Sequence, residues 1–199
     1  MIYRNIKDKE HKLLTIVHLK SFKDFFLTDL GKTFLDIYYE AVTLNESSIS
    51  VCVLNDNYEM IGFATGCTSS NGYNKSLILN HLIKFTIQGI VLFFTKPLSI
   101  YRLLKNFDKK HHPDDSGNYA ELLSIAVLPD YKGKGIGSEL LKYFEEESIK
   151  RGCVKIALTT DYYNNTNVIE FYKRSGYQVF YDFYTYPKRR MYKMIKTLN

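Results

Sequence analysis

The stretch VLPDYKGKGIGSE (127–139) constrains the fold most, because an apolar strand runs into a basic, glycine-dense turn and then directly into a helix. Glycine lacks the Cβ that would keep a ligand away from the backbone, so several N–H groups of such a turn can converge on one anion. The N-terminus of the following helix directs the positive end of its dipole at the same point. Lys132 and Lys134 add full charges. The sequence therefore predicts an α/β protein that holds a phosphate-bearing ligand at this turn.

Length and composition indicate a single domain. The chain has 199 residues, 45% of them hydrophobic, which is enough for one packed α/β core that carries an insertion. The net charge of +6 suits an acidic ligand but is too small to indicate nucleic acid. Much of the excess positive charge lies near the C-terminus, where it is equally compatible with a solvated strand edge; the residues are Lys188, Arg189, Arg190, Lys193 and Lys196.

The cysteines and the N-terminal segment bear on the compartment. Cys52, Cys67 and Cys153 are an odd number and show no metal-ligand spacing, which favours a reducing environment. The first residues, MIYRNIKDKEHK, lack the apolar core of a signal peptide. We expect a cytoplasmic protein.

Hydrophobic periodicity predicts a mixed sheet made from a hairpin, a β-α-β-α unit and a second hairpin. The predicted strands are 2–6, 49–54, 60–67, 119–127 and 154–160, followed by two antiparallel strands on either side of a turn at Pro187. The predicted helices are 13–19, 30–44, 135–151 and 165–175. In the helix after the glycine turn, the side chains expected to face inward are Leu140, Leu141, Phe144 and Ser148.

An apolar helical insertion at about 75–110 interrupts this pattern, with a break at Lys96-Pro97. Its polar residues Asn80, His81, Lys84 and Gln88 form a narrow stripe, so most of the helix circumference is apolar and must be covered. Burial in the core is the favoured interpretation. A lid over an apolar acceptor, a dimer contact and a membrane-surface helix remain alternatives. The basic residues that follow, Arg102, Lys105, Lys109 and Lys110, keep an anionic membrane among them.

Two known glycine motifs do not fit the turn. No segment supplies the GxxxxGK[ST] of a P-loop. A dinucleotide fingerprint needs GxGxxG, whereas the glycines here are Gly133, Gly135 and Gly137. The turn also follows more than a hundred residues of other structure, which disfavours a Rossmann fold.

The segment ELLSIAVLPDYKGKGIGSELL resembles motif A of the GNAT superfamily of acetyl-CoA-dependent N-acetyltransferases, whose signature is [Q/R]xxGxG/A. Lys132 stands where the family has arginine or glutamine. Downstream, NTNVIEFYKRSGY (165–177) resembles the family's motif B, NxxAxxxYxxxGF, with Val168 at the alanine position and Tyr177 at the final phenylalanine. Both motifs occur in the family's order and between the expected elements.

The resemblance implies the GNAT (acyl-CoA N-acyltransferase) α/β fold: a mixed, mostly antiparallel sheet of about seven strands flanked by helices, in one domain over 1–199. The sheet should splay at its two parallel strands, where the cofactor enters. The family's acetyl-CoA contacts map onto three groups of residues in this chain. They are Ile125, Ala126 and Val127 for the pantetheine arm; Lys132, Gly133, Lys134, Gly135, Ile136, Gly137 and Ser138 for the pyrophosphate; and Asn165 and Tyr172 on the second helix.

The resemblance also implies catalytic roles. Tyr172 is the candidate general acid for the leaving thiolate, although it could simply pack beside Phe171. Glu121 is the candidate base, acting through water, and its exposure to the acceptor depends on a bulge in its strand. Asp161 is a competing carboxylate, which more plausibly caps the second helix or touches the acceptor. No metal is expected, because the ligand-type segment HHPDD (111–115) has the composition of a solvated loop.

These features predict direct transfer of acetyl from acetyl-CoA to a primary amine in a ternary complex. The apolar insertion and the aromatic C-terminal strands favour a small or partly apolar acceptor, for example an amino sugar. A protein or peptide acetyltransferase and a non-catalytic CoA-binding module are the alternatives. A homodimer is possible, a peripheral membrane contact is disfavoured, and no nucleic-acid partner is expected.

Overall fold

The computed structural model of the protein describes residues 1–23, 25–107, 112 and 115–199. In chain order the elements are β1 Ile2–Asn5, α1 His11–Ser21, α2 Phe26–Asp29, α3 Lys32–Leu44, β2 Ser48–Leu54, β3 Met60–Cys67, α4 Tyr73–Asn80, α5 Leu82–Thr95, α6 Pro97–Phe107, β4 Ala120–Val127, a 3-10 turn Pro129–Tyr131, α7 Ile136–Lys150, β5 Lys155–Asp161, α8 Thr166–Arg174, β6 Gln178–Thr185 and β7 Arg189–Thr197. The strands and helices predicted from periodicity are confirmed, with ends that differ by one to a few residues.

The strands form one mixed sheet in the order β1-β2-β3-β4-β5-β7-β6. Every neighbouring pair is antiparallel except β4 and β5, which run parallel. The parallel pairing is short: it joins 120–122 to 156–158 and goes no further. The predicted mixed, mostly antiparallel sheet with a splay at its parallel strands is therefore confirmed.

Helices cover both faces of the sheet, and the buried residues form a separate cluster on each. On one face α7 and α8 pack against the sheet, and Leu140, Leu141, Phe144 and Ser148 are buried as predicted. On the other face α1 and α3 bury Leu14, Leu35 and Tyr39 against Phe63. This arrangement leaves the splayed end of β4 and β5 between the two helical layers.

The insertion forms three helices, α4 to α6, and the predicted break before Pro97 is confirmed. The expectation that the apolar helix is buried in the core is wrong. In α5 only Gln88 and Leu92 are buried, and the apolar side chains on the opposite side are exposed. The polar stripe faces the protein instead, since Lys84 Nζ pairs with Glu40 on α3 at 2.6 Å. Periodicity showed how apolar each side of the helix is, but not which side faces the body.

A second, unpredicted break separates α4 from α5. Among the described residues, no single helix is both long and apolar enough to cross a membrane. Helices α4 and α5 reach that length and composition only together, and they are bent by 92°.

Candidate active site

The splay between β4 and β5 exposes one edge of β4. The N–H of Leu128 donates to the Ile61 carbonyl at 2.8 Å, which sets the phase of the β3–β4 ladder. By the alternation of an antiparallel pair, Ala126 directs its N–H and C=O toward β3, whereas Ile125 and Val127 direct theirs toward the splay. The Val127 carbonyl there accepts a hydrogen bond from Ser21 Oγ at 3.3 Å. Two of the three residues expected to bind the pantetheine arm thus present backbone groups to an open edge.

The glycine turn lies at the end of this edge, immediately before α7. Gly133 and Gly135 adopt left-handed φ values of 76° and 77°, which other residues adopt only with strain. The Gly135 carbonyl accepts the first helical bonds, from the N–H groups of Ser138 and Glu139 at 3.0 and 3.2 Å. Among the described residues, no atom beyond the chain neighbours and the backbone of α7 lies within 4 Å of a Cβ built on Gly133, Gly135 or Gly137. The N-terminus of α7 therefore opens into a space that side chains at the glycines would enter.

The other residues of the turn divide between the surface and the core. Lys132, Lys134 and Ser138 are exposed, whereas Ile136 is buried in the cluster under α7. Lys134 Nζ lies 5.1 Å from the centre of the Tyr131 ring. The two lysines thus place their charges at the open side of the turn.

Asn165 and Tyr172 hold different positions in and around α8. Asn165 immediately precedes the helix, and its Nδ2 donates to Thr160 Oγ1 at 2.7 Å and to the Asp161 carbonyl at 3.1 Å. It therefore ties the start of α8 to the end of β5. Tyr172 is buried, with its ring 5.7 Å from that of Tyr177. Burial raises the pKa of the Tyr172 hydroxyl, so this group stays protonated at neutral pH.

A cavity of about 580 Å³ lies beyond the open end of the sheet, enclosed by the insertion. Its walls are mainly apolar and come from α2 to α6, with Leu77, Phe85, Leu92, Ile100 and Leu103 among them. Its polar floor comes from the strands, with Glu121, Ser124, Thr159, Tyr181 and Lys193. The inner side of the insertion thus forms the roof of a cavity, as the lid among the alternatives named above would.

A β-bulge brings Glu121 to this cavity. In the β3–β4 ladder Thr65 pairs with Ser124 and Gly66 pairs with Leu122, so Leu123 is an extra residue. As a result Glu121, Leu123 and Ser124 all line the cavity, which simple alternation would not allow. Gly66 makes the bulge possible, because a Cβ at this position would lie 2.0 Å from the Glu121 carbonyl oxygen.

Glu121 is paired with Lys193, one of the C-terminal cations for which a solvated strand edge was an open alternative. Lys193 Nζ donates to Glu121 Oε1 at 2.6 Å, and the two side chains are only 6% and 17% exposed. Lys193 lies on β7 and reaches across β5, because β5 separates β4 from β7 in the sheet. In the sequence, only the alternation of β7 indicates that Lys193 faces inward. Alternation does not identify its partner, Glu121 on β4.

Asp115, expected to lie in a solvated loop, is instead half-buried and hydrogen-bonded to two tyrosines, one of which, Tyr181, lines the cavity. The carboxylate of Asp115 accepts hydrogen bonds from Tyr119 at 2.8 Å and from Tyr181. Burial opposes the charged form, but the hydrogen bonds from Tyr181, from the Gly117 amide and from Tyr119 prevail and lower the pKa of Asp115. A fixed negative charge thus lies behind Tyr181 at the edge of the cavity.

One other candidate carboxylate is engaged by an arginine, and the predicted loop at 111–115 lies partly outside the described residues. Asp161 does not cap α8, because its carboxylate is engaged by Nε and Nη2 of Arg189. In the segment 111–115, positions 111, 113 and 114 lie outside the described residues. Within the described ranges, no three His, Cys, Asp or Glu side chains are grouped to hold a metal ion.

A buried histidine on α1, His18, is a further feature that no motif in the sequence marks. His18 Nδ1 lies 2.7 Å from the Tyr39 hydroxyl, and its Nε2 is buried with no hydrogen-bond partner among the described residues. Burial lowers the pKa of His18 from 6.5 to about 4. The imidazole is therefore neutral in the folded protein at pH 7.

This histidine should make the fold sensitive to mild acid. The pKa of His18 is lower in the folded protein than in the unfolded chain. Its contribution to the free energy of unfolding is therefore complete above pH 6.5 and is lost as the pH falls toward 4. Between pH 7 and pH 5 the free energy of unfolding should fall by about 2 kcal/mol from this group alone. Urea unfolding at both pH values tests this, and His18→Gln should remove that part of the pH dependence. Identical pH slopes for the variant and the wild type would contradict the assignment.

The sequence profile of the acetyltransferase (GNAT) family matches residues 18–177. An S-alkylcysteine N-acetyltransferase of Bacillus subtilis (strain 168) is 39% identical over 60 residues, which is 29% of this chain and 34% of that protein. The alignments with the curated relatives cover only 34% and 38% of those proteins' lengths.

Solved structures match over the whole chain at low identity. The ribosomal-protein-S18-alanine N-acetyltransferase from Escherichia coli covers 100% of this chain and 94% of its own, with a TM-score of 0.62 and 16% identity. An aminoglycoside 6′-N-acetyltransferase complexed with coenzyme A covers 100% and 98%, with the same TM-score and identity. At this level of identity the match establishes the fold.

Proposed function

The chain belongs to the acetyltransferase (GNAT) family, and from this premise we propose that it transfers the acetyl group of acetyl-CoA to a primary amine that carries an apolar group. One observation carries the proposal. The open edge of β4 leads at one end to the glycine turn and the N-terminus of α7, and at the other end to the cavity that contains Glu121. The first end suits a phosphate-bearing cofactor and the second suits an amine.

In this proposal the cofactor lies in the splay. The backbone groups of Ile125 and Val127 bind the pantetheine arm as an added strand would, while Ala126 keeps its bonds to β3. The amides at the start of α7 hold the pyrophosphate, and Lys132 and Lys134 neutralise it. A protein with a similar fold is complexed with coenzyme A, which supports this ligand. Asn165 fixes the start of α8 beside the arm.

The transfer itself needs a neutral amine, a polarised thioester and a proton for the departing sulfur. The amine nitrogen attacks the thioester carbon, the C–N bond forms, and the C–S bond breaks to release CoA thiolate. A water molecule passes the amine proton to Glu121, whose carboxylate Lys193 holds in place. Tyr172 stays protonated because of its burial and donates to the thiolate. A backbone N–H of the β4 edge stabilises the oxyanion.

The cavity favours a compact amine with an apolar substituent over a peptide or a sugar. Its roof consists of Phe85, Leu92, Ile100 and other apolar side chains, which would leave sugar hydroxyls without partners. Helices α4 to α6 contribute much of its wall, whereas an extended peptide would need a cleft that is open at both ends. One relative is named for S-alkylcysteine, a small amine with an alkyl group, which supports this class.

Isothermal titration tests the cofactor half of the proposal. The full chain should bind acetyl-CoA and CoA in the micromolar range, about −8 kcal/mol. Absence of binding for both ligands would refute the proposed function. A panel of arylalkylamines, amino sugars and short peptides then tests the acceptor half, and turnover confined to the peptides would refute the acceptor class.

Gly89 offers a direct test of the cavity as the acceptor site. It lines the cavity from α5, and no described atom lies within 4 Å of a Cβ built there. Gly89→Leu should preserve the helix, since leucine is the better helix former. It should narrow the cavity and raise KM for a bulky arylalkylamine about tenfold, while KM for methylamine changes less than about twofold.

Ile90→Leu is the matched control for Gly89→Leu, because Ile90 is the next residue of α5 and is exposed to solvent. Steady-state kinetics with both amines compares the two variants. If Gly89→Leu affects the large and the small amine equally, the cavity is not the acceptor site.

A further inference from the structure

The outer face of α5 and α6 is apolar where a water-soluble helix would be polar. Ile83, Ile87, Ile90 and Phe94 follow each other at helical spacing on α5, and Leu98 follows at the start of α6. Ile83 and Phe94 are 76% and 78% exposed, and Leu98 is 83% exposed. These five residues, called the outer face below, present exposed apolar side chains to the surroundings.

Specific contacts hold this orientation in place. Lys84 pairs with Glu40, Gln88 is 9% exposed, and the Phe85 ring meets the Phe34 ring at 6.0 Å. Lys96 Nζ donates to the Asp29 carbonyl at 2.5 Å at the junction of the two helices. The polar side of α5 is therefore anchored to α2 and α3, and rotating the outer face inward would break every one of these contacts.

Helix α6 is likewise held in place, through contacts with the turn between β6 and β7. Asn106 Nδ2 donates to the Tyr186 carbonyl at 3.1 Å, and the Tyr186 N–H donates to Asn106 Oδ1 at 2.8 Å. The rings of Tyr101 and Tyr186 meet edge to face at 5.3 Å. Leu98 consequently stays on the outside.

The charges of the insertion favour one of the surfaces that could cover the outer face. Residues 73–107 contain no Asp or Glu. Of their cations, Lys84 and Lys96 bind Glu40 and the Asp29 carbonyl on the inner side, Arg102 lies over the Phe26 ring, and Lys75 and Lys105 are exposed. A two-fold contact between copies of the chain would bring together two insertions that carry exposed lysines and no carboxylate, which like charges disfavour. A bilayer that contains anionic lipid supplies both hydrocarbon for the outer face and negative charge for its flanks.

We propose that the outer face docks on an anionic lipid bilayer, with α5 and α6 lying in the plane of the interface. The docking does not depend on the proposed reaction. If both hold, the inner sides of the same helices form the cavity roof, so the acceptor site lies about one helix diameter, roughly 10 Å, from the membrane surface. Amines with apolar groups concentrate at that surface.

Vesicle co-sedimentation of the full chain tests the docking. Vesicles with about 30% phosphatidylglycerol should pellet the protein, while pure phosphatidylcholine vesicles should bind it several-fold more weakly. The double variant Ile87→Gln/Phe94→Gln should lower the partition coefficient at least tenfold, and Lys75→Gln/Lys105→Gln several-fold. The control Ile149→Gln/Val154→Gln changes two exposed apolar residues elsewhere and should bind as the wild type does.

Folding and assembly are checked on the same samples by circular dichroism and light scattering. The altered side chains are exposed, so each variant should melt at the wild-type Tm within a few degrees. Failure of the folded wild type to bind anionic vesicles would overturn the proposal. So would a wild-type dimer that Ile87→Gln/Phe94→Gln converts to a monomer without any vesicle binding, because the outer face would then be a contact between copies.

Discussion

Gly137→Glu should weaken CoA binding by a factor of about 100 or more, equivalent to about 3 kcal/mol, without destabilising the fold. Gly137 lies in the first turn of α7, and a side chain there meets open space. The new carboxylate should be favourable for the helix itself, because its charge complements the positive end of the dipole. It would, however, lie where we propose that the pyrophosphate binds, and two anions at one site cost several kcal/mol.

Isothermal titration with CoA measures this effect, and Ile149→Glu is the matched control. That variant adds the same charge to the same helix, twelve residues later and about 18 Å away along the axis. It should bind CoA as the wild type does. Equal affinity for Gly137→Glu and Ile149→Glu would show that the glycine turn is not the pyrophosphate site.

Tyr172→Phe should lower kcat for acetyl transfer by about 100-fold and leave the Kd for CoA nearly unchanged. The substitution removes only the hydroxyl that we propose as proton donor to the thiolate. The phenylalanine ring keeps the packing against Phe171 and Tyr177. Transfer to the amine with the best turnover is measured in steady state and in a single turnover, so that chemistry is separated from product release.

Tyr177→Phe separates catalysis from packing in the same cluster. The Tyr177 hydroxyl donates to Glu145 Oε1 at 2.9 Å, so its loss should cost stability, about 1 to 2 kcal/mol, and leave kcat unchanged. If Tyr172→Phe also keeps the wild-type kcat, the tyrosine is a packing residue, and water or another group protonates the thiolate.

The strands and most helices could be predicted because their signals are local. Alternation and helical spacing depend on neighbouring residues only. Gly152 and Gly176, which follow the ends of α7 and α8, have the positive φ values that are common just after a helix. The glycine turn could likewise be predicted, since the same glycines that permit its conformation leave space at the N-terminus of α7.

The acceptor side could not be predicted because it depends on contacts between distant segments. The exposure of Glu121 requires an extra residue, Leu123, in one strand of a ladder, and a sequence does not reveal its own register. The partner of Glu121 is Lys193, on a strand that is two positions away in the sheet. The orientation of α5 depends on Glu40 and on the rest of α3, so an apolar helix of the same composition could equally have been buried.

The most direct test of the central claim is acetyl transfer itself. The protein is incubated with acetyl-CoA and an arylalkylamine, and both the free CoA thiol and the mass of the amine are measured. We predict that thiol release requires the amine, that each released thiol is matched by one acetylated amine, and that the protein itself gains no acetyl group. Tight CoA binding without thiol release for any amine in the panel would contradict the claim and show that the fold serves as a binding module.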